Sequence, residues 1–212
     1  MSLANDARFW DRTSRRYAKS AIADEAGYAR TLDRTRALFK RDARVLELGC
    51  GTGTTALRLA GHARSYLATD ISEEMIAIAE EKHAAAPIPG LAFRAATAET
   101  LASNEDTFDV VIGFNYLHLV RDLPGTLRCI HALLAPQGLF ISKTPCLGDM
   151  NPLLRLALLP AMHAIGLAPH AGVFRAAELG SLLQAADFEV LATENHATKG
   201  GETRPFIVAR KQ

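Results

Sequence analysis

The sequence predicts an α/β fold: a doubly wound, mostly parallel sheet of seven strands, with a helical N-terminal cap and a C-terminal antiparallel hairpin. Three observations carry this. First, the apolar run Val45-Leu46-Glu47-Leu48 breaks into glycines at alternate positions, Gly49, Gly51 and Gly53, and helical spacing resumes over Thr54–Ala60. That pattern is a buried strand turning into a helix. Second, strand-like and helix-like segments alternate behind it, as a parallel sheet covered on both faces requires. Third, the strand-like runs Phe188–Thr193 and Pro205–Arg210 are separated by a loop too short for a helical crossover, so they pair antiparallel at the sheet edge.

The elements follow in order. Residues 1–44 hold eleven Lys/Arg against six Asp/Glu, interspersed with Phe9, Trp10, Tyr17, Tyr28 and Leu32. This is the pattern of amphipathic cap helices with solvated arginines. Ser65–Asp70 is the second strand, and Ser72 caps a helix running to about His83, with Glu73 and Glu74 in its first turn. Pro87, Pro89 and Gly90 stop that helix. Leu91–Ala95, Phe108–Phe114 and Gly138–Lys143 read as strands, and Leu123–Leu134 and Ala176–Ala186 as helices. A chain of 212 residues suits one domain. Within it, residues 1–43 form the cap, 44–143 the ligand-binding core, 144–174 an apolar insertion, and 175–212 the last helix and hairpin.

The glycine turn lets a ligand lie against the backbone, because it has no Cβ atoms in the way. Gly51-Thr52-Gly53-Thr54-Thr55-Ala56 also satisfies the dinucleotide form G-x-G-x-x-A, and Asp70 follows at the distance of a ribose-binding acid. Glu47 argues against a dinucleotide, since its carboxylate would face a doubly negative pyrophosphate. A ligand with a sulfonium, an ammonium and a ribose diol, such as S-adenosylmethionine, suits Glu47 and Asp70 better.

On Glu47, Gly49, Gly51 and Gly53, and on the terminal hairpin, the sequence resembles the class I S-adenosylmethionine-dependent methyltransferases of small-molecule type. The resemblance is specific over about residues 40–145 and implies a Rossmann-like sheet with S-adenosylmethionine as cofactor. It also implies a set of contacts at the strand ends. Gly49, Cys50, Gly51 and Gly53 would meet the methionine moiety, with Glu47 acting through amides or water. Asp70 would accept from the ribose hydroxyls, while Ile71 and Met75 pack on the adenine. Thr97-Ala98-Glu99 resembles the acidic adenine motif, with Thr97 where Asp is common, which leaves Glu99 or the Ala98 backbone to meet the amino group. Asn115 would approach the methionine end and Tyr17 would close over the cofactor. His118, after the fourth strand, is the candidate catalytic base. A structural histidine is the competing assignment.

Composition excludes several classes. Cys50, Cys129 and Cys146 are odd in number and lack C-x-x-C spacing, which argues against disulfides and against a metal site, and predicts a reducing cytoplasm. No apolar run of signal-peptide length occupies Met1–Trp10. A net charge of +1 offers no broad phosphate-binding surface, and Asn115-Tyr116-Leu117-His118 lacks the prolines of base methylases, so nucleic acid is not expected as a partner. A small-molecule acceptor remains. Residues 144–174 are too short and too interrupted by Arg155 and Pro160 to span a membrane, and predict a lid, a dimer face or extra core. Their near-absence of charge favours an apolar or aromatic acceptor and permits peripheral membrane contact. The chain is expected as a monomer or homodimer. A nicotinamide-dependent oxidoreductase and a non-catalytic binding module are the alternatives left open.

Overall fold

The computed structural model describes residues 2–103, 106–150, 169–198 and 203–212. Helices α1 (Leu3–Ala18) and α2 (Glu25–Ala37) precede strand β1 (Arg44–Leu48), the short helix α3 (Ala56–Leu59) and β2 (Ser65–Asp70). Then come α4 (Glu73–Ala85), β3 (Leu91–Ala95), α5 (Ala98–Leu101) and β4 (Phe108–Phe114). The described chain ends with α6 (Leu123–Leu133), β5 (Leu134–Lys143), α7 (Ala176–Ala185), β6 (Phe188–Glu194) and β7 (Phe206–Lys211). The seven strands form one sheet in the order β3-β2-β1-β4-β5-β7-β6. Every neighbouring pair from β3 to β5 is parallel, whereas β7 runs antiparallel to both β5 and β6. The strand order reverses between β1 and β4, and that switch opens a crevice at the carboxyl ends of the strands.

Alternation along each strand fills two apolar layers. Val45, Tyr66, Ala68, Ile112, Ile141 and Val208 share one layer with Ala56 and Leu59 of α3 and Ile76 of α4. Leu46, Val111, Phe140 and Ile207 face the other way, onto Leu127 and Ile130 of α6 and Leu179 and Leu183 of α7. The central strands β1 and β4 are therefore apolar on both faces, apart from Glu47 and the charged Arg44 and Asp109 near their amino ends.

Polar anchors hold the cap to the core. Arg121 donates to both carboxylate oxygens of Asp6 at 2.7 and 2.8 Å, tying α1 to the segment after β4. Ser72 donates to Asp11 at 2.6 Å, tying the same helix to the start of α4. Asp24 caps α2 by accepting from Gly27 N at 2.9 Å, and the Tyr28 and Thr55 hydroxyls meet at 2.8 Å beneath it.

Two elements differ from the sequence expectation. The helix expected over Thr54–Ala60 shrinks to Ala56–Leu59 and passes into a 3₁₀ turn at Ala60–His62, where Gly61 weakens helix continuation. Strand β5 begins at Leu134 rather than Gly138. Gln137 takes φ 62° and the pairing with β4 shifts between Phe108 and Val110, so an irregular stretch extends the strand backwards.

The expected lid spans 144–174, and its residues 151–168 lie outside the described residues. Its two ends are joined: Gly148 N donates to Phe174 O at 2.8 Å, and Ala176 N to Asp149 at 2.8 Å. Among the described residues, no helix is long and apolar enough to cross a membrane.

Ile112 is fully buried in β4 between two paired strands. Ile112→Ala should therefore lower stability by about 2–5 kcal/mol in urea unfolding. A loss below about 1 kcal/mol would show that the layer collapses around the missing atoms.

Candidate functional site

The turn after β1 is shaped by three glycines in the left-handed region, Gly49 at φ 68°, Gly51 at 54° and Gly53 at 75°. A Cβ on Gly53 would lie 2.8 Å from Ala79 Cβ, and one on Gly49 would lie 2.8 Å from Tyr116 Cδ2. The flanking glycines are thus required by packing as well as by conformation. Gly51 differs: its nearest neighbour would be Tyr17 Cε1 at 3.6 Å. The middle of the turn faces an open side with the Tyr17 ring across it. Lys82 of α4 supports the turn from below, donating to Thr52 O at 2.9 Å and Thr52 Oγ1 at 2.8 Å.

Asp70 closes β2 beside this turn and is 8% exposed. Its carboxylate accepts from Gly51 N at 2.9 Å and from Ser72 N at 3.0 Å. Both oxygens keep further lone-pair capacity for the hydroxyls of a diol. Burial raises the carboxyl above its ordinary range, opposed by the amide hydrogen bonds from Ser72, Gly51 and Ile71.

Glu47 is 2% exposed and accepts from the buried Tyr66 hydroxyl at 2.8 Å. Burial pushes its carboxyl up to about 7, against the pull of the Tyr66 hydrogen bond and with a further push from Asp70. Two acids close together beside a glycine turn attract a cation. The cradle therefore fits S-adenosylmethionine, with Asp70 for the ribose diol and Glu47 for the positive methionine end, and it disfavours a pyrophosphate.

The other expected contacts separate into groups. Ile71, half-buried, and Asn115, exposed at φ 51°, stand at the carboxyl ends of β2 and β4, and Asn115 N donates to Lys143 O at 2.8 Å. Cys50 is buried and contributes its backbone, which donates to Thr69 O at 2.8 Å; its thiol is raised by burial. Thr97 spends its hydroxyl on a capping box with Thr100, leaving the start of α5 and the buried Ala98 at the end of β3. Glu99 turns towards α6 and accepts from Thr126 at 2.7 Å. Met75 requires correction: at most 2% exposed, it belongs to the core and has no surface left to pack on an adenine.

His118 sits in a 3₁₀ turn at Leu117–Leu119, with Nδ1 3.0 Å from the buried Thr144 hydroxyl. Burial first, and the positive charge of Arg204 second, bring its pKa down to about 4. The imidazole is neutral throughout the physiological range.

Sequence reasoning missed Tyr66, Lys82, Asp11 and the Asp6–Arg121 pair. Only Tyr66 left a signal, because its place two residues from the register partner of Glu47 brings it to the same face of the sheet. Two surface depressions lie outside the glycine cradle. One is at the amino ends of the strands between Arg44, Ser65 and Gly90, and another, of about 620 Å³, flanks Leu117, Val120 and Phe174.

The Glu47 carboxyl titrates at an ordinary value of 4.5 when unfolded and at about 7 when folded. The folded state thus holds a proton that the unfolded chain releases, so stability falls as pH rises from about 4.5 through about 7 and stays lost above that. Glu47→Gln should make the free protein more stable than wild type by about 3 kcal/mol at about pH 8, with the gap closing near pH 5, while weakening cofactor binding. Urea unfolding at the two pH values measures this. Equal stabilities at the higher pH would show that the carboxylate is well solvated.

Comparison with known proteins agrees with this geometry. Residues 16–193 match the methyltransferase domain family. The chain is 31% identical over 202 residues to the mitochondrial arginine-hydroxylase NDUFAF5 of Danio rerio, covering 87% of this chain and 60% of that protein. It is 33% identical over 129 residues to a ubiquinone biosynthesis O-methyltransferase of Methylocella silvestris, covering 59% of this chain and 48% of that one. The chain therefore spans about half to three fifths of the length of these curated relatives. Among solved structures, an S-adenosylmethionine dependent methyltransferase of Mesorhizobium loti shares the fold with a TM-score of 0.69 at 23% identity, over 88% of this chain and 98% of that one. The magnesium protoporphyrin IX methyltransferase of Synechocystis, solved with bound SAH, gives 0.71 at 18% identity over 98% and 95%. With the family match running through the glycine turn, Asp70 and the switch-point crevice, the chain belongs to the class I S-adenosylmethionine-dependent methyltransferases.

Proposed function

We propose that the protein transfers the methyl group of S-adenosylmethionine to a small apolar or aromatic acceptor. The observation that carries this is the joint placement of Glu47, the left-handed turn at Gly49–Gly53 and Asp70 at the ends of β1 and β2. The cofactor supplies a methyl on a sulfonium: an acceptor lone pair forms the new bond as the carbon–sulfur bond breaks, leaving a neutral thioether. For the protein, the work is alignment and exclusion of water. Asp70 and Gly51 fix the ribose end, Glu47 holds the positive end, and Tyr17 covers the turn from α1. Asn115 and His118 face the space where an acceptor would lie. Neutral His118 takes a proton that the acceptor releases as or after the new bond forms, and its low basicity suits this late transfer; an acceptor that arrives ionised needs no base.

Leu117, Val120, Val173 and Phe174, which line the depression beside the 3₁₀ turn of His118 together with Arg121 and Glu178, support an acceptor with a substantial apolar part. The name of the Methylocella relative supports oxygen as the methylated atom. The three cysteines, free in the structure, support a reducing cytoplasm. The name of the Danio relative carries a second chemistry, hydroxylation of arginine, and consumption of S-adenosylmethionine with release of its demethylated product separates the two.

Calorimetry should show binding of S-adenosylmethionine and of its demethylated product, with no comparable binding of NAD or NADP. Tight NAD binding without a response to S-adenosylmethionine would overturn the assignment. Asp70→Ala removes a charged acceptor for the ribose together with the bonds to Gly51 N and Ser72 N, and should weaken the cofactor by roughly 1.5–3 kcal/mol, one to two decades in affinity. An unchanged dissociation constant in the folded variant would assign the ribose to another acid.

Because His118 stays neutral, the rate of methyl transfer should show no inflection near pH 6.5. His118→Gln should lower kcat by roughly tenfold to a hundredfold, at the low end for a proton acceptor, and leave cofactor affinity intact. A variant with wild-type kcat would make His118 structural.

A further inference from the structure

Resting on the methyl-transfer reading, we propose that the acceptor carries a carboxylate, and that the Arg204 guanidinium holds it at the carboxyl end of β5. Backbone pairing fixes the place. Phe206 opens β7 opposite Lys143, the last residue of β5, and Cys146 N donates to Thr203 O at 2.8 Å. Arg204 lies between those two pairings, past the end of β5 and on the cofactor side of the sheet. The same end of β5 carries Thr144, which meets His118 Nδ1 at 3.0 Å.

Arg204 is exposed and, among the described residues, has neither a hydrogen-bond nor an ion-pair partner. Its charge is felt by three groups around the crevice, His118, Lys143 and Tyr17. Lys143 is the second cation. It is half-buried, donates to the Thr31 hydroxyl at 2.7 Å, and burial lowers its pKa.

The acid whose charge acts on Lys143 is Asp24, whose oxygens are already engaged by Gly27 N, Thr198 N and the Thr198 hydroxyl. Among the described residues, two like charges thus share one side of the crevice with no free carboxylate assigned between them, and the charge of Arg204 opposes that of Lys143. Local conflict of this kind survives in folded proteins at sites where a ligand relieves it. A planar carboxylate matches the guanidinium fork with two parallel hydrogen bonds.

The test titrates hydroxybenzoates, and hydroxybenzamides of the same skeleton, into protein saturated with the demethylated cofactor. The acids should bind at least about tenfold tighter than the amides, the margin should fall below about twofold in Arg204→Gln, and Arg204→Lys should keep part of it. Equal affinity of acids and amides for wild type, or a margin that survives in Arg204→Gln, overturns the proposal. Tighter binding of hydroxyphenylphosphonates than of the acids also overturns the carboxylate and assigns the anion to a phosphate group. Affinity for the demethylated cofactor, read first in the same cell and unaffected by Arg204→Gln, reports separately on the methyl-transfer reading, which fails if that ligand does not bind.

Discussion

The crevice depends on close packing around a backbone that has no side chains. Gly53 lies against Ala79 and Phe93, and Gly49 against the Tyr116 ring, at separations that leave no room for a methyl group. These contacts let α4 and the segment after β4 press on the turn from two sides. The pressure holds Gly51 N on Asp70 and keeps the middle of the turn open towards Tyr17. If any of the three positions moved, Asp70 would lose its geometry before it lost its charge.

Glu47 imposes a second, opposing constraint. Every other β1 side chain from Val45 to Leu48 is apolar and almost fully buried, so this layer would be more stable with a hydrophobic residue there. Tyr66 offsets part of the desolvation, and the rest stays as a deficit in the free protein. A positive ligand end beside Glu47 reverses the sign of that deficit. Binding and folding are thereby coupled through one carboxyl group.

The sheet was legible in the sequence because buried parallel strands are written as short apolar runs, and because Ser72 and the prolines after His83 mark where α4 starts and stops. The terminal hairpin was legible from loop length alone. The shape of the turn was readable where the backbone needs a particular residue type, as at Gly49, Gly51 and Gly53, and so was the acid at the end of β2 that bonds it, Asp70. Reading failed where side chains choose among partners. Nothing in the order of residues tells Met75 from Ile71 as a ligand contact, since both are apolar and near the same strand end, yet one is sealed in the core. Glu99 bonds Thr126 across to another helix, and the partner of Asp6 lies 115 residues away. The short α3 and the backward extension of β5 escaped because Gly61 and the left-handed Gln137 act through local backbone geometry, which hydrophobic periodicity does not encode.

Helix α1 reaches opposite halves of the sheet with two of its acids. Asp11 takes the Ser72 hydroxyl just after β2, and Asp6 takes the Arg121 fork beyond β4. The helix therefore works as a strut across the switch point, and sets the spacing between the wall built on the end of β2 and the wall built after β4. Rotation of one half against the other would have to break a bidentate ion pair or a buried hydroxyl contact. The distance across the crevice is thus a mechanical property of the cap, held by two acids on a single helix.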